Sequence, residues 1–229
     1  MKKVFISGIS GGIGTALAKK YLSEGYYVIG QYNDHIPTVE CEAIKADFSD
    51  LITVQKTAEY IAKKHPDIDI LINNAGIDWY GLFTDMTTEE IEKINKINLL
   101  APMILTKEIG KSMLSRKKGV ILNVSSIWGR DGGSCETAYS ATKGGLISFT
   151  KAIAKEWALA GVRCNAVCLG FFDTPINRIF SEEDKKNFCD EVSLGRIGDP
   201  AEAADAVFYL TSDQASYITG QVLSVDGGM

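Results

Sequence analysis

The feature that most constrains this chain is an alternation of short β-branched runs with longer amphipathic stretches, repeated along its 229 residues. Parallel strands need crossover connections, and helices supply them, so such alternation builds a parallel sheet covered by helices. The runs predict strands over Lys3 to Ser7, Tyr26 to Tyr32, Glu42 to Ala46, Ile68 to Asn73, Gly119 to Val124, Val162 to Cys168 and Gln221 to Val225. The periodic stretches predict helices near Gly12 to Glu24, Leu51 to Lys64, Asn98 to Ser115, Tyr139 to Ala160 and Ala201 to Thr211. Gly25 and Gly161 directly follow two of these stretches, as helix C-caps do. Only nine residues join Tyr32 to Glu42, which predicts a loop or single turn where a crossover helix would otherwise sit. No repeat, linker or low-complexity segment divides the chain, so the expectation is a single α/β domain over residues 1–229.

Composition excludes several classes. A net charge of -5 argues against nucleic acid, which needs a clustered positive surface. Arg116-Lys117-Lys118 reads as a solvated helix end, where cations meet the negative pole of the dipole. No apolar stretch approaches the roughly 20 residues of a membrane span. Glycines at 8, 11, 12 and 14 interrupt what could pass for a signal peptide. The five cysteines form no Cys-x-x-Cys pair, and Cys164 and Cys168 on one strand would stand about 13 Å apart, too far for a disulfide. Reduced thiols in a cytoplasmic protein are expected. With two histidines and no spaced ligand set, no metal site is expected.

Several segments carry candidate chemistry. The first strand runs into Ser7-Gly8-Ile9-Ser10-Gly11-Gly12-Ile13-Gly14 and then a helix. Such a turn can be purely structural, or it can bring amide N-H groups and the positive helix end against a pyrophosphate. Asn73-Asn74-Ala75-Gly76 follows the fourth strand, at the edge where open α/β sheets bind ligands, although Asn and Gly are also ordinary turn formers. Asp47 is open to two roles, helix cap or adenine partner. Tyr139 and Lys143 share one helix face, as do Tyr60 and Lys64. Thirteen residues before Tyr139 stands Ser126 in a strand-end run, whereas Asp47 precedes Tyr60; the Tyr60 pair reads as helix surface.

With these blocks in order, the chain resembles the short-chain dehydrogenase/reductase family from Lys3 to Gly228. Gly170 to Pro175, Gly195 to Pro200 and Tyr217 to Gly228 resemble the closing third of bacterial 3-oxoacyl-[acyl-carrier-protein] reductases. The resemblance implies a Rossmann-type sheet of strand order 3-2-1-4-5-6-7 and an enzyme interconverting a carbonyl and a secondary alcohol. It implies Tyr139 as acid/base, Lys143 lowering the phenol's pKa and holding the nicotinamide ribose, Ser126 binding the substrate oxygen, and Asn98 positioning a relay water. Gly8, Ser10, Gly12, Ile13, Gly14, Tyr32, Asn33, Asp47, Phe48, Asn74, Ala75, Gly76, Phe172 and Thr174, with Tyr139 and Lys143, would hold the coenzyme.

Departures from the pattern shape the remaining expectations. Leu169-Gly170 replaces the usual Pro-Gly, removing a φ restraint. Tyr32 stands where an acid would bind the ribose 2′-hydroxyl and repel a phosphate, which favours NADP(H) over NAD(H). Substrate walls are expected from Asp78-Trp79-Tyr80, Trp128 to Cys135 and Ile176 to Phe188, within which Ser181 to Lys186 reads as a lid or a surface helix. A 3-oxoacyl thioester is the leading substrate. The alternatives are a small alcohol, sugar or cyclic diol, and a non-catalytic nucleotide-binding regulator. Relatives assemble through the two long helices, so a homotetramer or dimer is expected.

Overall fold

In a computed structural model, which describes every residue except Ile176, Arg178 and Ile179, seven parallel strands form one sheet ordered β3-β2-β1-β4-β5-β6-β7. These are β1 (Lys3–Ser7), β2 (Tyr27–Tyr32), β3 (Glu42–Lys45), β4 (Ile70–Asn73), β5 (Gly119–Ser126), β6 (Val162–Leu169) and β7 (Val222–Val225). Side chains alternate across the sheet. Phe5, Ile29, Leu71, Ile121 and Cys164 therefore stand in one register row and face one side. There they pack with α2 (Leu51–Lys64), α4 (Ala101–Arg116) and α6 (Thr137–Trp157). Their neighbours Val4, Ile6, Val28 and Ile72 face the other side, against α1 (Gly12–Ser23) and α8 (Pro200–Thr211). The sheet is thus buried on both faces, and its carboxyl-terminal edge is the ligand edge of a doubly wound fold.

Residues 33 to 41 carry no helix, as their number predicts. The helix expected to start at Asn98 is different. It begins as α3 (Thr88–Asn95), where Thr87 and Glu90 form a reciprocal capping box, and passes through a π-helical turn, Lys96–Leu100, into α4. Asn98 is consequently no cap: it lies inside the π turn, fully buried. Two further helices are α5 (Ile127–Asp131) and α7 (Glu182–Glu191), the latter capped by Ser181 and Asp184. No helix among the described residues is long and apolar enough to cross a membrane.

Candidate active site

Two adjoining cavities open at the carboxyl edge of the sheet. The first, about 340 Å³, is walled by Gly8, Ser10, Gly12, Ile13, Gly14, Asn33, Asp47, Phe48, Asn74, Ala75, Gly76 and Thr174. Glycine is required in this turn. A Cβ on Gly14 would lie 2.1 Å from the Gly8 carbonyl oxygen, and one on Gly12 would lie 2.7 Å from Thr174 Cγ2. The turn thereby closes tightly over the N-terminus of α1, where Gly11 supplies no side-chain cap to the first amides. Backbone donors and the positive helix end suit an anionic diphosphate, so the cradle fits a dinucleotide.

Three side chains hold this turn in place. Ser7 Oγ accepts hydrogen bonds from the amides of Asn74 and Ala75, both at 3.0 Å. Asn74 Nδ2 donates back to the carbonyls of Ser7 (2.9 Å) and Gly8 (3.1 Å). Gln31 accepts from the Gly8 amide at 2.9 Å and donates to the Ala46 carbonyl at 2.6 Å. Gln31 was not among the sequence candidates; its signal, a lone amide in an apolar strand, is visible only once its neighbours are known. Strand alternation turns the next residue, Tyr32, to the opposite face, where it packs against the α1–α8 core and lies off the cavity wall. Asp34 and His35 stand on that wall instead. Asp47 accepts from the Ser49 amide at 2.8 Å, while the cap of α2 is Asp50.

The second cavity, about 640 Å³, is walled by Ser126, Tyr139 and Lys143 together with Ile13, Asn74, Gly76, Phe172 and Thr174, which border both spaces or the passage between them. Ser126 ends β5, and its Oγ accepts from the Trp128 amide at 3.2 Å, capping α5. Tyr139 and Lys143 project from the first turns of α6 into the cavity that Ser126 also lines. Lys143 Nζ donates to the Val124 carbonyl at 2.9 Å and lies 5.5 Å from the Tyr139 ring centroid. Burial pushes the Tyr139 phenol well above its ordinary range, with the neighbouring Ser126 hydroxyl opposing. Burial likewise pulls the Lys143 ammonium down to about 8, against the pull of Asp78 and Cys168. The lowering of Tyr139 expected from Lys143 is not found, and desolvation sets the direction of the shift.

Asn98 lies off both walls. Its Oδ1 accepts from the Ile77 amide at 2.9 Å, and its Nδ2 donates to the Ile77 carbonyl at 2.8 Å and to Thr142 Oγ1 at 3.3 Å. It therefore ties the segment following Gly76 to α6, and the π turn aims it there. The expected walls at Asp78, Tyr80, Trp128 and Ser134 are present, as are Asn177, Phe180, Asp184, Asn187 and Phe188. Ile176, Arg178 and Ile179 of that expected segment lie outside the described residues. Glu136, one residue past the segment expected from sequence, also lines the cavity; its position one helical turn before Tyr139 was the available signal.

Residues 8–229 match a family model described as Enoyl-(Acyl carrier protein) reductase, an adh_short_C2 short-chain dehydrogenase model. The chain is 37% identical over 240 residues to an uncharacterized oxidoreductase, YmfI, of Bacillus subtilis, covering 99% of this chain and 98% of that one. It is also 37% identical over 240 residues to the 3-oxoacyl-[acyl-carrier-protein] reductase FabG of Aquifex aeolicus, covering 100% and 97%. Among solved structures it is similar to a Beutenbergia cavernae protein assigned as an NAD(P)-dependent gluconate 5-dehydrogenase, with NADP bound at low occupancy. The TM-score is 0.93 at 29% identity, covering 99% of this chain and 95% of that one.

Proposed function

Because this chain belongs to the short-chain dehydrogenase/reductase family and is an NAD(P)-dependent oxidoreductase, we propose that it reduces a carbonyl to a secondary alcohol at Tyr139. The observation that carries this reading is the convergence of Ser126, Tyr139 and Lys143 on one cavity that adjoins the glycine cradle. A bound nicotinamide coenzyme supplies the hydride. Ser126 donates a hydrogen bond to the carbonyl oxygen, orienting it and stabilising the charge that develops there. Tyr139 delivers the proton from its hydroxyl, and the Lys143 ammonium stabilises the resulting phenolate. Asn98 acts at a distance, by fixing the Ile77 segment beside Gly76.

The FabG relatives support a 3-oxoacyl thioester as substrate, and the gluconate 5-dehydrogenase likeness supports a small sugar-type alcohol as the alternative. NADP(H) is the proposed coenzyme, supported by the NADP of that neighbour. Five free thiols suit a reducing cytoplasm, and the homotetramer that the family resemblance implies is tested by light scattering. The functional test is loss of reduced-nicotinamide absorbance with acetoacetyl-CoA, run with NADPH and NADH and against Tyr139→Phe. Turnover abolished in the variant supports a thioester reductase. Coenzyme binding with no thioester turnover overturns that substrate and leaves the carbonyl chemistry to be tested on small ketones.

A further inference from the structure

One buried and one half-buried carboxyl share the catalytic cavity and have no part in the proton transfer above. Glu136 occupies the N-cap of α6, where an acid ordinarily accepts from first-turn amides, yet its side chain makes no cap. It lines the cavity instead and is only 8% exposed. The turn that aims it is strained: Cys135 holds a φ of 62°, a left-handed conformation unusual for a residue with a β-carbon. That turn is clamped to the opposite wall, since the Gly81 amide donates to the Cys135 carbonyl at 2.9 Å. Strain of this kind persists where the surrounding structure over-determines it, and it clusters at functional positions. On the opposite wall Asp78 follows the Ile77 segment tied by Asn98, and its Oδ1 accepts from the Trp79 amide at 2.6 Å. Burial pushes both carboxyls upward, and the charge of Asp78 adds to the shift on Glu136.

The described walls offer this pair one counter-charge. Lys143 is the only lysine or arginine among the described wall residues, and its ammonium donates to the Val124 carbonyl. Asp184 and Glu191 of α7 add two more acids to the rim. Facing them is a connected aromatic wall. Tyr80 meets Phe180 edge-on at 5.6 Å, Phe180 meets Phe171 at 5.6 Å, and Phe171 meets Phe188 at 4.6 Å. Aromatic faces attract a cation and carboxylates neutralise it, so the two features point to one chemical class of ligand.

We propose that Asp78 and Glu136 form a cation subsite, so that the carbonyl substrate carries an organic ammonium group held between this pair and the aromatic wall. The proposal rests on the carbonyl-reductase reading and sets a cationic ketone in place of the thioester as its substrate class. A CoA or carrier thioester brings phosphate anions to an acidic rim. A neutral polyol offers the two carboxyls no counter-charge. An ammonium supplies one while leaving the carbonyl oxygen to Ser126 and Tyr139.

Acetonyltrimethylammonium and 4,4-dimethylpentan-2-one are near-isosteric methyl ketones, one with a fixed positive charge and one neutral. The measurement is the ratio of their kcat/KM values with NADPH in the wild type, in Asp78→Asn and in Glu136→Gln. The inductive effect of the ammonium on the carbonyl cancels between proteins, so a change in the ratio reports the subsite alone. The expected result is a wild-type preference for the cation that falls about ten-fold or more in each variant, the scale of one desolvated charge contact. A ratio equal in all three proteins overturns the subsite while leaving the reductase intact. Calorimetric titration of both ketones into NADP-saturated protein separates the remaining case. Carboxyl-dependent binding of the cation without turnover keeps the subsite and overturns the reductase reading, and equal binding of the two ketones overturns the subsite. If either variant fails to fold, the other still decides.

Discussion

Replacing Lys143 with Met tests the electrostatics of the site in the coenzyme-free protein. The ammonium is pulled down to about 8 from 10.5, chiefly by burial. A base whose folded pKa is depressed disfavours the folded state while it is charged, because the unfolded chain holds its proton more firmly. The penalty is therefore fully present below about pH 8 and fades as the pH climbs towards 10.5. Linkage between those two values gives a gain of about 2 kcal/mol in wild-type stability from about pH 7 to about pH 9.5, relative to Lys143→Met. For a chain of this size that is a relative rise in Tm of about 4–8 °C. Thermal unfolding of both proteins across this range, read as a difference, cancels groups that titrate alike in the two. At neutral pH the Met variant loses turnover, and its stability approaches or exceeds that of the wild type, because losing the donor to the Val124 carbonyl offsets only part of the relieved desolvation. A stability difference that stays flat from pH 7 to pH 9.5 refutes the reasoning, since it means that water or a counter-ion reaches Nζ.

Tyr139→Phe lowers kcat/KM by about 10²–10⁴-fold, the range of a lost general acid, while the folded variant still binds coenzyme; near-normal turnover in stopped assays contradicts its role. Asn98→Ala strands the amide and carbonyl of Ile77 and costs about 2–4 kcal/mol in urea unfolding, with Asn98→Asp intermediate because it keeps only the acceptor. A loss below about 0.5 kcal/mol removes Asn98 as the clamp of that segment. Asp34→Asn raises the NADPH-to-NADH ratio of kcat/KM about ten-fold by removing a carboxylate from the cradle wall. An unchanged ratio places the 2′-phosphate elsewhere.

What the sequence by itself determined is local. Strand alternation, the crossovers, the short connection after Tyr32 and the shared face of Tyr139 and Lys143 all follow from residue periodicity within one element, and the structure reproduces the sheet order implied by the family resemblance. Helix α3 was legible too, in the Thr87–Glu90 capping box, but its sparse apolar face hid it and shifted the expected helix start to Asn98. Tertiary structure alone decided the rest, because it brings together residues whose spacing carries no period. It turned Tyr32 away from the cradle and set Gln31 against the Gly8 amide, a choice made by which face of β2 meets the neighbouring turn. It locked Asn98 onto the Ile77 peptide through a π turn, where one extra residue re-aims a side chain without any sequence signature. It also set Asp78 and Glu136 on the wall of one cavity, where burial pushes both carboxyls upward, a property that neither residue shows in the chain.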